Sequence, residues 1–227
     1  MCGRFTRIVS WAELNEAMQI IPAGAAGRND AARYNIAPTQ QVSFAVELDG
    51  ERQVKEGQWW LVPFWAKELS TKYPTFNARG ETAHTKPTFR ESFKSKRCLV
   101  PADGYYEWIK AEDKGKDPFY ITLPDRAPFC FAGLWAHNTT LDITSFTILT
   151  LPALPATVEL HHRMPVILEP SAFEPWLNAD TSVDDCHELL DQNLGDDLEY
   201  YRVGRDVNSS KSDHASYIEP LTNSDLS

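Results

Sequence analysis

The residue with the most distinctive chemistry is the second one. The chain opens Met1-Cys2-Gly3-Arg4-Phe5. Cysteine is small enough for the initiator Met to be trimmed by an aminopeptidase. Cys2 would then carry a free α-amine beside its thiol. An α-amine has an ordinary pKa of about 8, so a useful fraction is neutral near pH 7. Such an amine attacks an aldehyde to form an imine, and the neighbouring thiol can close a five-membered thiazolidine ring. No internal residue offers both nucleophiles. A lone cysteine near a terminus is also a common incidental feature, so the proposal needs partners.

Three further clusters supply candidate partners. In Phe76-Asn77-Ala78-Arg79-Gly80-Glu81-Thr82, the Asn77 amide both donates and accepts, and Arg79 can fork onto a phosphate. The same segment also reads as a polar turn with a surface ion pair. In Asp103-Gly104-Tyr105-Tyr106-Glu107-Trp108, strand alternation puts Tyr105, Glu107 and Ile109 on one face. Pointing inward, Glu107 has a raised pKa suited to proton transfer; pointing outward, it is a solvated strand residue. In Glu159-Leu160-His161-His162-Arg163-Met164-Pro165, one histidine can shuttle protons near neutral pH. Adjacent histidines in an extended segment face opposite ways, so one at most enters a given site. A hydrogen-bonded structural histidine is the plainer alternative.

Composition narrows the field. A length of 227 residues suits one large domain or two small ones, with 42% hydrophobic and 24% charged residues. The 15 prolines favour turns over long helices. No stretch is long and apolar enough to span a membrane, and the first twenty residues do not read as a signal peptide. A soluble cytoplasmic protein is the expectation. The net charge of −10 counts against a broad, nonspecific coat for nucleic acid, but a local groove needs only a few arginines. The four cysteines, Cys2, Cys98, Cys130 and Cys186, are too far apart for a zinc knuckle, so no metal and no cofactor is expected. Cys98 and Cys130 sit among apolar neighbours and read as small buried hydrophobes, while Cys186 follows two aspartates that oppose thiolate formation.

The elements that must position these groups are mostly short. Residues 11–20 have helical spacing, with Trp11, Leu14, Met18 and Ile21 on the core face. Residues 22–40 read as loop. Strand-like runs recur at 42–47, 57–61, 97–100, 104–109, 118–123, 129–134, 145–151 and 165–168. Residues 80–95 read as partly helical. Ser171 and Glu174 suggest a capping box for a short helix that Pro175 limits, and 183–193 suggests another helix. The polar stretch after Arg205 reads as loosely held. Strands along the whole length with helices among them predict an α+β single domain, with a mixed or antiparallel barrel-like β core surrounded by short helices. It is expected to span residues 1–220, with 221–227 as a polar tail.

Taken together and in order, these motifs resemble the SOS response-associated peptidase (SRAP) family. The resemblance runs from Met1 to about residue 220. It also includes Tyr34-Asn35-Ile36-Ala37-Pro38 and Trp60-Leu61-Val62-Pro63-Phe64-Trp65. It implies a thiazolidine crosslink between the N-terminal cysteine and an abasic site in single-stranded DNA. By motif, it makes Cys2 the nucleophile, Asn77 its helper, Glu107 the acid–base group and His161 a second proton carrier. Arg4 and Arg79 fall where the family grips phosphates, and Pro38, Phe64 and Trp65 where it sets apolar surface against DNA. Lys86 stands where some relatives have a second arginine, giving a point charge rather than a fork. The loop at 66–75 lacks a clustered aromatic pair. The implied partner is single-stranded DNA containing abasic sites, met by a cytoplasmic monomer that joins the nucleoid when bound. Strand cleavage by β-elimination is an implied side activity. Two rivals stay open: a thiol peptidase or autopeptidase using Cys2, His161 and Asn77, and a noncatalytic single-strand binder.

Overall fold

The computed structural model describes residues 2–20, 30–69 and 72–222. Its elements follow in chain order. The first part holds β1 (Phe5–Arg7), α1 (Trp11–Met18), β2 (Arg33–Ile36), β3 (Gln41–Leu48), β4 (Glu51–Trp59) and β5 (Asn77–Arg79). Next come α2 (Gly80–Ala83), α3 (Arg90–Ser95), β6 (Arg97–Ala102), β7 (Gly104–Lys110), β8 (Lys116–Thr122), β9 (Phe129–Asn138) and β10 (Ile143–Pro152). The last part holds β11 (Arg163–Pro165), β12 (Ile167–Leu168), α4 (Phe173–Leu177), α5 (Val183–Asp191) and β13 (Glu199–Arg202).

The strands form two sheets. In the larger one, pairing runs β10–β4–β3–β6–β9 and returns from β9 to β10, which closes a five-stranded ring. Closure leaves no free edge around the ring. The smaller sheet has the order β13–β8–β7–β1–β2. The ring strands β6, β9 and β10 are buried on both faces along most of their length, as their continuous apolar runs require, whereas β4 is largely half-buried or exposed. Phe44, Val100, Phe131 and Ile148 join a core shared with Phe5, Tyr105 and Ile121 of the smaller sheet. Alternate residues Ala45, Leu99, Ala132 and Leu149 pack instead with Trp11, Phe93 and Trp176 of the helices. The α+β barrel-like core expected from the sequence is therefore present, with both antiparallel and parallel pairings.

Local chemistry explains several elements. Asp49 and Gly50, both at positive φ, form the two-residue turn that closes the β3–β4 hairpin with Leu48 opposite Glu51. Ser10 caps α1 in a full capping box with Glu13, and Trp11, Leu14 and Met18 face the core as expected. Ile21 lies outside the described residues. Gly104 has no room for a side chain, because a Cβ there would sit 2.1 Å from the Tyr120 hydroxyl oxygen.

Some expectations need correction. The segment expected as loop before residue 40 contains β2, which pairs with β1 because Asn35 and Ile36 are buried there. The 165–168 run is two strands on different neighbours, β11 on β10 and β12 on β9. Ser171 does not cap α4. It lies in a 3-10 turn at Pro170–Ala172, and Ala172 occupies the cap position. The stretch after Arg205 is not loose up to residue 222, because Val207, Tyr217 and Ile218 pack against Tyr106 and Tyr120. No helix among the described residues is long and apolar enough to cross a membrane.

The approach of Cys2 to the core is set by β1, and β1 is held by Asp103. Its buried carboxylate accepts from the Thr6 hydroxyl at 2.5 Å and from the main-chain N–H groups of Ile8 and Val9. Replacing it leaves the part-buried Ile8 and Val9 N–H groups without this acceptor, while the Thr6 hydroxyl keeps the Gly104 carbonyl at 3.2 Å. Asp103→Ala should cost about 2–3 kcal/mol and lower the melting temperature by roughly 5–10 °C, as read by calorimetry. An unchanged melting temperature would show that β1 is held by its strand pairing alone.

Candidate active site around Cys2

Three segments converge on Cys2. The first is β1 itself, paired antiparallel with β7 so that Phe5 faces Tyr105 and the Tyr106 N–H donates to the Arg4 carbonyl at 2.9 Å. Continuing that register sets Gly3 opposite Glu107, one residue from Cys2. The second is β5, which runs parallel to β10 with Asn77 beside Ile148 and Arg79 beside Thr150. From there the Asn77 amide donates to the Cys2 carbonyl at 2.6 Å. The third is the turn before β11, which pairs with β10 from the other side, Thr150 opposite Pro165 and Pro152 opposite Arg163. That turn carries Leu160, in the same core cluster as Cys2 and Tyr105, followed by His161.

The site is dry, and its titrations follow from that. Cys2 is fully buried, and burial, followed by the charge of Glu107, pushes its thiol far above the ordinary range. Its Sγ makes a weak contact, 3.8 Å to the Arg4 carbonyl. Glu107 is 5% exposed, and burial raises its carboxyl pKa, so the inward reading of this strand residue holds. Tyr105 is buried between them, its phenol held protonated by burial and then by Cys2 and Glu107. Burial also lowers the His161 pKa, which favours neutral imidazole. Its Nδ1 accepts from the Arg163 N–H at 2.9 Å, and its ring stacks on exposed His162 at 4.2 Å between centroids. Among the described residues, no hydrogen bond links the Cys2 thiol to His161.

Beside Asn77 a hollow of about 510 Å³ opens, with Arg79 and Lys86 on its lining and Tyr73, Phe76 and Phe89 as walls. It adjoins a second hollow of about 670 Å³, with which it shares Tyr73 and Thr88, lined further by Trp60, Trp65 and Lys67. Arg79 and Lys86 are exposed. Phe64 and Trp65 are 54% and 55% exposed, so large aromatic surface faces solvent next to the groove. Pro38 is half-buried in the turn between β2 and β3. Arg4 stands apart from this groove's lining. Its guanidinium donates to Asn35 Oδ1 at 2.5 Å and the Val207 carbonyl at 2.9 Å and stacks on Trp108. It ties the N-terminal segment to the C-terminal one. No cluster of three His, Cys, Asp or Glu residues suited to a metal ion occurs among the described residues.

Two features of the site escaped sequence reasoning. Tyr105 shares the strand face of Glu107, a signal that was visible. The pairing of Glu81 with Arg163, bidentate with one contact at 2.8 Å, joins residues of two distant motifs and has no local signal.

The β barrel thus gathers a buried cysteine near the chain start with an amide, a carboxyl and an imidazole, beside a groove with cationic and aromatic walls. The chain belongs to the SOS response associated peptidase (SRAP) family, whose model matches residues 1–210. Among its relatives, abasic site processing protein YoaM of Bacillus subtilis is 35% identical over 96% of this chain and 98% of that protein. Abasic site processing protein YedK of Escherichia coli is 30% identical over 83% of this chain and 85% of that protein. A crystal structure of a protein from Bacteroides thetaiotaomicron superposes with a TM-score of 0.77 at 25% identity, covering 97% of this chain and all of that one.

The raised carboxyl pKa of Glu107 sets a sign for stability. A folded-state pKa above the unfolded value means the folded protein binds the proton more tightly. That contribution is complete below the unfolded pKa, and it is lost as pH rises through the folded pKa. Glu107→Gln removes the cost of the buried charge, so its melting temperature should gain on the wild type as pH rises above the ordinary carboxyl range. Parallel pH profiles for the two proteins would contradict a buried, titration-shifted carboxyl.

Proposed function

We propose that this protein captures the ring-opened aldehyde of an abasic site in single-stranded DNA. Capture occurs on Cys2 after removal of Met1 and yields a covalent thiazolidine crosslink that protects the damaged strand. The observation that carries the reading is the 2.6 Å bond from Asn77 to the Cys2 main chain, at a residue buried together with Glu107. The names of the relatives, abasic site processing proteins, support the same lesion as target.

The burial that holds the thiol protonated makes the amine the first nucleophile. Its lone pair attacks the sugar C1′ aldehyde to give a carbinolamine. The Glu107 carboxyl protonates the departing hydroxyl, to which the His161 Nε2–H donates a hydrogen bond; water leaves as the nitrogen lone pair forms the C=N bond, and the resulting Glu107 carboxylate takes the nitrogen's proton. The Cys2 sulfur then adds to the imine carbon, and the thiol proton passes to the nitrogen. One aldehyde and one aminothiol become one thiazolidine and one water. Reversal with the same groups would release the DNA. The imine also acidifies the neighbouring C2′, which accounts for lyase cleavage as a side reaction. Arg79 and Lys86 are the proposed phosphate contacts, because both line the groove beside Asn77. Phe64 and Trp65 are the proposed stacking surface for unpaired bases. Arg4, bonded to Asn35 and Val207, supports the terminal segment. The thiol peptidase reading is weaker, because it needs His161 to deprotonate Cys2, and the thiol has no hydrogen bond to that ring.

Incubation of untagged protein with an abasic oligonucleotide should add the oligonucleotide's mass less one water in intact-mass spectra. One residue placed before Cys2 should abolish the adduct although the thiol remains. A stable adduct on that extended protein, or on Cys2→Ala, would overturn the proposal. Arg79→Ala should weaken binding to single strands of any sequence and reduce the salt dependence by about one phosphate contact. An unchanged slope would remove Arg79 from the groove's phosphate contacts.

A further inference from the structure

The protonation site of His161 is decided by Arg163. The Arg163 main-chain N–H can only donate, and it points at Nδ1 from 2.9 Å. A proton on Nδ1 would oppose it, so in the neutral ring the proton sits on Nε2. The Arg163 carbonyl, 3.2 Å from the same Nδ1, is the longer contact and becomes a hydrogen-bond acceptor only when the ring is doubly protonated.

That geometry holds only while residue 163 holds its place, and its side chain is an anchor. The guanidinium is 8% exposed and forks onto both carboxylate oxygens of Glu81, one of them at 2.8 Å. It also donates to the Thr150 carbonyl at 2.5 Å. Glu81 belongs to α2, which follows β5 directly and so stands four residues beyond Asn77. Thr150 lies on β10, which separates the two segments. The ion pair therefore straddles β10 and joins the Asn77 segment to the His161 turn. A bidentate fork of this kind fixes orientation as well as distance.

We propose that the Glu81–Arg163 pair is a positioning device that locks His161 as its Nε2–H tautomer and sets it in register with Asn77. What the locked proton accomplishes rests on the crosslinking reading above; the lock itself does not. Neither residue is assigned contact with DNA. Losing the fork frees the turn, and the ring can then exchange between its two neutral tautomers. The Nε2–H hydrogen-bond donor to the departing hydroxyl is then present only part of the time.

The test has two arms. In the first, nitrogen-15 NMR of imidazole-labelled protein without DNA reads which ring nitrogen of His161 is bare. The wild type should show bare Nδ1, and Glu81→Gln and Arg163→Lys should shift both nitrogens towards averaged values. In the second, single-turnover adduct formation at saturating abasic DNA should slow on the order of tenfold in Glu81→Gln, with affinity for intact single strands unchanged. A proton on Nδ1 in the wild type overturns the proposal, and this result needs no variant to fold. Wild-type nitrogen signals in a folded Glu81→Gln protein overturn it as well. If the wild type forms no adduct but the variants still shift the tautomer, the crosslinking reading fails and the lock stands.

Discussion

β10 outruns the strand beside it, and the site depends on that overhang. β9 pairs with β10 only as far as Ile148, while β10 continues to Pro152. Buried backbone groups past that point need partners. On one edge β5 takes over after β4, and on the other β11 takes over after β9. Two three-residue strands, too short to stand alone, are thereby fixed on either side of one strand. One brings Asn77, and the other begins two residues after His161. A change that shortened β10 would scatter the site without touching any of its side chains.

Burial is the second organising constraint, and it acts on every group in the same sense. The thiol, the carboxyl and the phenol are all pushed towards their protonated forms, and the imidazole towards its neutral one. A site of uncharged groups suits addition to an uncharged aldehyde followed by loss of water, where protons are passed locally and no charge is left buried at the end. The same dryness works against a thiolate nucleophile. Charge is instead placed at the rim, where Arg79 and Lys86 stay exposed despite a net charge of −10 on the whole chain.

The sequence carried the residues of the site further than it carried their geometry. Motif singled out Cys2, Asn77, Glu107 and His161 as candidates, and alternation on the Tyr105–Ile109 face favoured the inward Glu107 that the structure has. The main strands from β6 to β10 were legible because their apolar runs are long. β1, β5 and β11 were not, because three residues carry no period, and they exist only by pairing with a longer neighbour. β2 was hidden in a stretch rich in Asn and Pro whose burial comes from Tyr106, Ser209 and Ser212, far along the chain. The contacts of Arg4 were unreadable for the same reason, since Val207 is 203 residues away.

The central claim is that both nucleophiles of one residue react. The most direct measurement digests the protein–DNA adduct with nuclease and protease and fragments the N-terminal peptide by mass spectrometry. The account predicts a sugar remnant on Cys2 that leaves neither the thiol open to alkylation nor the amine open to acylation. A remnant on any other residue, or on Cys2 with its thiol still alkylatable, would contradict it.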